Sequence, residues 1–85
     1  MDNEPKLVID NPKVNDKTDS NYVDVTGITD PVNIVTINSR LAVVNSDGSF
    51  RLRINLKPGD NLLTILAKDN FRIETKKEIK ITSNY

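Results

Sequence analysis

The sequence predicts an all-β protein, an antiparallel β-sandwich of about seven strands in a single domain. Three observations carry that expectation. Phe50, Leu52, Ile54 and Leu56 alternate with Arg51, Arg53 and Asn55, the period-2 pattern of a strand with one dry face and one wet face. After Lys57-Pro58-Gly59-Asp60 the alternation resumes at Leu63, Ile65 and Ala67. Turn signals then recur along the rest of the chain, and no segment shows helical periodicity over a useful length.

In chain order, residues 1–6 are polar and expected to be a flexible segment, the folded body spans residues 7–82, and residues 83–85 form a tail. Leu7-Val8-Ile9 is a short first strand, ended by Asp10-Asn11-Pro12 because proline restricts the residue before it to extended or turn geometry. Val14 is expected to anchor the loop that follows, and residues 15–21, with no apolar side chain among them, read as an exposed connection. Tyr22–Ile28 is the next strand, with Val23 and Val25 inward and Gly27 at a bulge or close packing contact. Thr29-Asp30-Pro31 turns the chain into Ile34–Ile37, whose Val35 and Ile37 face the core. Asn38-Ser39 leads to Leu41–Val44. A two-residue hairpin there requires positive φ, which asparagine tolerates better than serine. Asn45-Ser46-Asp47-Gly48 and Pro58-Gly59 are firmer turns, with glycine free to take the left-handed position. The last strand runs from about Ile73 to Thr82, with Ile79 and Ile81 inward. Short strands punctuated by turns at roughly 8–12-residue spacing give an immunoglobulin-like architecture.

Composition narrows the functional classes. At 85 residues the chain is one domain. Twelve basic and twelve acidic residues cancel, so the field that steers a protein to nucleic acid or to an anionic membrane is absent. No apolar run reaches the ~18–20 residues of a membrane span. The chain has neither histidine nor cysteine, which removes the commonest general base, the nucleophilic dyads that use them and any disulfide. Met-Asp-Asn-Glu-Pro-Lys lacks the basic start and apolar centre of a signal peptide. The expectation is a module of a longer exported chain, with Met1 added at its start, in preference to a cytosolic protein.

A family resemblance follows from particular residues. Val25-Thr26-Gly27, Val35-Thr36-Ile37-Asn38, Asp47-Gly48-Ser49-Phe50, Leu56, Gly59, Asn61, Ala67 and Asp69, followed by Ile79 and Ile81, resemble the pattern of bacterial immunoglobulin-like domains of the glucodextranase-B type over roughly residues 22–82. Two turns depart from it. Ser39 stands where the family usually has glycine, and Arg72-Ile73 stands where a Gly-Asn pair often follows the aspartate. The resemblance implies an accessory or spacer module without catalysis of its own, appended to secreted or wall-attached bacterial hydrolases, peptidases or adhesins.

Candidate sites are few. Asp47, Asp60 and Asp69 each sit at a turn, where a carboxylate caps backbone amides and needs no catalytic reason. Asn15, Asp16 and Asp19, or Asn45, Asp47 and Ser49, could offer oxygens to calcium, but neither set matches an EF-hand loop, so no catalytic, metal or cofactor site is assigned. Phe71, on a loop between the last two strands, either caps the open end of the sandwich or contacts a ligand such as a glycan. Leu62, Leu66 and Ile34 are out of phase with their strands, so they would form an apolar patch on an outer sheet face. That patch either meets a neighbouring domain or protein partner or is covered by residues 10–21. The expected partners are neighbouring domains of the parent chain, cell-wall glycan or a surface protein, at the cell wall or outside the cell. Neither nucleic acid nor membrane insertion is expected.

Overall fold

A computed structural model describes residues 4–85 as eight strands: β1 (Leu7–Asn11), β2 (Asp16–Thr18), β3 (Tyr22–Thr29), β4 (Ile34–Ile37), β5 (Arg40–Ala42), β6 (Ser49–Asn55), β7 (Gly59–Lys68) and β8 (Glu74–Ser83). They form two sheets, β1-β3-β6 and β2-β8-β7-β4-β5. Every described element is a strand, so the all-β sandwich stands as expected. The alternation in sequence becomes the core directly: Val25, Val35, Ile37, Leu63, Ile65 and Ala67 are fully buried between the sheets. The Phe50 ring packs under Gly27, where a Cβ atom would lie 2.7 Å from Phe50 Cζ.

The eighth strand is the main correction. Residues 15–21, expected as a connection, contain β2, whose Asp16, Lys17 and Thr18 pair in parallel with Ile81, Thr82 and Ser83. The remaining pairings between strands are antiparallel. The chain reaches β2 by leaving one sheet for the other. β1 carries a bulge between Ile9 and Asn11, the Asn11–Pro12 peptide is cis, and the Asp16 N–H donates to the Lys13 carbonyl at 3.2 Å. Val14 does not anchor this crossing; it is 74% exposed. The expected strand over Leu41–Val44 is instead β5, with Val44 joined to Phe50 by an isolated bridge.

Both departures from the family pattern take the backbone conformation that glycine would supply. Asn38 and Ser39 have φ of 50° and 69°, and Arg72 has φ of 64°. Asn38 compensates by binding β7: its N–H donates to the Thr64 carbonyl at 2.9 Å, and its Oδ1 accepts the Thr64 N–H at 2.8 Å. These two bonds carry the β4–β7 ladder past the end of β4.

The two ends of the sandwich hold opposite termini. Leu7 pairs with Thr29 where β7 turns into β8, and the Pro5 carbonyl accepts the Thr75 hydroxyl at 2.6 Å. Ser83 pairs with Gly59 at the other end of a body measuring 40 × 25 × 19 Å. Of the expected flexible segment 1–6, residues 1–3 lie outside the described residues, Pro5 is buried, and the Lys6 carbonyl accepts the Thr29 hydroxyl at 2.6 Å. Ser83, placed in a tail by the sequence, closes β8 and is buried. Asn84 N–H donates to Thr18 and the Tyr85 hydroxyl to the Leu56 carbonyl, each at 2.9 Å.

Candidate functional site

The outer face of the five-stranded sheet gathers the three leucine and isoleucine side chains singled out from the sequence. Because β-strand side chains alternate, Leu62 and Leu66 point opposite to buried Leu63, Ile65 and Ala67, and Ile34 points opposite to Val35. Leu66 stands level with Thr36, which pairs in turn with exposed Leu41, and Ile34 is level with Lys68. Leu66 and Ile34 are therefore diagonal neighbours. Leu62, level with Lys80, is separated from Leu66 along the strand by Thr64. Leu62 and Ile34 are 56% and 55% exposed. Residues 10–21 do not cover this face, since β2 joins the sheet edge-on beside β8 instead of lying across it.

Among the described residues Phe71 is the most exposed large apolar side chain, at 84%. It does not cap the sandwich. Its loop is fastened beneath it: Asp69 Oδ1 accepts the N–H groups of Phe71 at 2.8 Å and Ile73 at 3.0 Å, and Arg72 N–H donates to the Asp69 carbonyl at 3.1 Å. The ring is thus presented to solvent from a loop tied by hydrogen bonds at its base.

The motif carboxylates and amides are turn fastenings. Asp47 Oδ1 accepts the Ser49 hydroxyl at 2.6 Å and the Ser49 N–H at 3.0 Å, and these bonds hold its pKa below the usual carboxylate value. Asn61 closes the Pro58-Gly59 turn by accepting the Lys57 N–H and donating to the Lys57 carbonyl, both at 2.9 Å. Asp60 Oδ1 accepts the Thr82 hydroxyl at 2.9 Å. Asp16 Oδ1 accepts the Lys17 N–H at 3.0 Å. Among the described residues, no three carboxylates converge on a point where a metal ion could sit.

One charged cluster escaped the sequence reading. On the outer face of the three-stranded sheet, Asp24 accepts Arg53 Nε and Arg51 NH2, each at 2.8 Å, and the Arg53 guanidinium lies 4.0 Å from the Tyr22 ring centroid. The β3–β6 register, which sets Asp24 opposite Arg53, assembles it, and register cannot be read from either strand alone. Hydrogen bonds from Arg53 and then Arg51 lower the Asp24 pKa from 3.8 to about 2. A depressed carboxylate contributes stability above its unfolded pKa and loses it as pH falls through the folded value. The stability difference between the wild type and Asp24→Asn is therefore expected to be constant above pH ~4 and to shrink towards pH ~2. Thermal melts of both proteins across that range check this; a difference independent of pH would refute it.

The comparisons with known proteins fit this all-β body of tied turns. The family described as "Glucodextranase, domain B" matches residues 5–85. Bacillopeptidase F of Bacillus subtilis (strain 168) is 35% identical over 83 residues, which is 95% of this chain and 6% of that protein. The chain thus spans a small part of the length of the curated relative it matches. Among solved structures, the fibronectin(III)-like modules of Clostridium thermocellum CbhA superpose with a TM-score of 0.64 at 15% identity, covering 93% of this chain and 96% of theirs. That likeness speaks for the sandwich fold alone. The match over residues 5–85, together with the relationship to Bacillopeptidase F, shows that the chain belongs to the glucodextranase domain B family.

Proposed function

We infer that this chain is a non-catalytic spacer or accessory module of a larger exported bacterial protein, holding a neighbouring domain away from the cell wall. The carrying observation is mechanical. The termini leave opposite ends of a 40 Å body, and the chain near the N-terminus pairs in parallel with the last strand through β2 and β8. Tension applied at residues 5 and 85 pulls β2 and β8 in opposite directions along their length. Parallel strands loaded this way share the load across all their hydrogen bonds at once instead of opening one by one. The Ser83 hydroxyl bond to the Ser20 carbonyl, at 2.6 Å, and the Asn84 bond to Thr18 reinforce the same seam. The relationship to a small part of a much longer peptidase supports the accessory role.

Force spectroscopy of a tandem polyprotein is expected to show a resolved unfolding peak for each copy. Thr18→Pro, which removes an edge-strand N–H, is expected to lower that peak while leaving the remainder of the fold intact. Extension without a resolved peak would refute the load-bearing reading.

The exposure of Phe71 favours a second reading, a binding module for glycan or a surface protein. Aromatic rings held in solvent suit stacking on apolar sugar faces. Retention by a cell-wall glycan that disappears in Phe71→Ala would support it, and equal behaviour of the two proteins would remove it. The Leu62, Leu66 and Ile34 face remains the proposed contact for a neighbouring domain.

A further inference from the structure

β2 covers β8 only at Ile81–Ser83, so among the described residues no strand pairs with the edge of β8 from Glu74 to Lys80 on the side away from β7. The bonding pattern identifies which groups face that opening. Thr64 gives both its N–H and its carbonyl to Asn38 on the β4 side, so the level Thr64–Glu78 pair is not hydrogen-bonded. The N–H and carbonyl of Glu78 therefore point away from β7, as do those of Lys76 and Lys80 two residues to either side. Asn84, in the same phase, sends its N–H outward to Thr18. Beside this edge the sandwich is open between its sheets. A cleft of about 360 Å³ lies there, lined by the apolar Val8, Ile9, Pro12, Val14 and Ile79 and by the charged Lys13, Lys77 and Glu78.

We propose that this edge is a docking site for an extended peptide strand that adds to β8, with alternate apolar side chains entering the cleft and acidic side chains on the outer face. The backbone ladder supplies affinity, and alternate pockets supply selectivity. Charge decides the occupant. Lys76 and Lys80 stand on the outer face of the edge and Lys13 and Lys77 beside the cleft, four cations against the two carboxylates of the same stretch, Glu74 and Glu78. Lys76 lies 3.8 Å from Glu78 and Lys80 3.7 Å from Asp60, so the edge keeps a net positive charge carried chiefly by Lys13 and Lys77. Lysine facing lysine disfavours pairing between two copies of β8 and favours an acidic strand. The bulge in β1 and the Pro12 crossing keep β1 from closing the gap itself. This site is distinct from the force-bearing seam at β2 and from Phe71, so the proposal stands independently of both functional readings.

The probe is the peptide Ac-Glu-Val-Glu-Ile-Glu-Val-Glu-NH2, long enough to span Glu74–Lys80 at ~3.3 Å per residue. Titrated into the 85-residue chain, it is expected to slow amide exchange at Lys76, Glu78 and Lys80 by at least ~10-fold at saturation. Lys77→Glu is expected to weaken binding about 5-fold. The same peptide N-methylated at alternate amides keeps its side chains but cannot form the ladder, and is expected not to bind. Glu78→Pro deletes an outward N–H that β7 does not use, and is expected to abolish binding without disturbing amide signals of β3 and β4. If Glu78→Pro does not fold, the N-methylated peptide on wild-type protein decides alone. Absence of binding up to ~1 mM, protection elsewhere in the sandwich, or equal binding of the methylated peptide would overturn the proposal.

Discussion

Gly48→Ala is expected to destabilise the protein by about 3 kcal/mol, whereas Gly59→Ala costs about 1 kcal/mol. The two glycines look alike by dihedral angle, with φ of 89° and 95°. Their surroundings differ. A Cβ on Gly48 would be driven into the carbonyl oxygen of Thr29, while one on Gly59 meets nothing within 4 Å. Alanine at Gly59 therefore bears backbone strain alone. At Gly48 the turn must also retreat from β3, breaking the 2.8 Å bond from the Thr29 N–H to the Gly48 carbonyl. Thr29 is itself buried and accepts the Asn33 amide at 3.0 Å, so the disturbance reaches the β3–β4 connection. A chain of 85 residues has a total stability of about 4–13 kcal/mol, so the Gly48 variant loses a large share of it. The midpoint of thermal unfolding is expected to fall by about 12–24 °C. Equal melting temperatures for the two variants would show that the contact with Thr29 is relieved at no cost.

The tightness at Gly48 also shows which features the sequence made legible. Strands that bury one face announce themselves, and the β4, β6 and β7 cores follow the alternation of Val35/Ile37, Phe50/Ile54 and Leu63/Ile65/Ala67. The out-of-phase residues Leu62, Leu66 and Ile34 were legible for the same reason, since a break in period is as visible as the period itself. What escaped was structure made by backbone pairing. Asp16-Lys17-Thr18 is polar throughout and has no fully buried side chain, so nothing in its composition separates an edge strand from a loop. The Asp24–Arg51–Arg53 cluster needed inter-strand register, which no single strand encodes. The turn at Asn38-Ser39 was legible only in part. Serine takes positive φ there because Asn38 is bound twice to Thr64, a contact 26 residues away in sequence. For Phe71 the sequence offered a cap or a contact residue. The Asp69 hydrogen bonds that tie the loop backbone beneath the exposed ring are invisible before folding.

Phe50→Ala is expected to cost about 3–5 kcal/mol and to bring the protein close to its unfolding threshold at room temperature. Leu52→Ala, two residues on and on the same face of β6, is expected to cost only about 1–2 kcal/mol. Alternation gives these side chains the same role, but Phe50 is 2% exposed in the core whereas Leu52 is only partly buried against it. The ring also lies against Gly27, which pairs with Phe50 on β6 and with Ile9 on β1. Its removal leaves a cavity that neighbouring strands cannot collapse into without breaking the β1–β3 or β3–β6 ladders. A methyl group at Gly27 cannot fill that cavity, because the Val8 carbonyl on β1 blocks the same direction. Gly27→Ala added to Phe50→Ala is therefore expected to destabilise further. Urea denaturation of the single and double variants measures both effects. A double variant more stable than Phe50→Ala would mean that β1 moves aside, and with it the wall of the cleft beside β8.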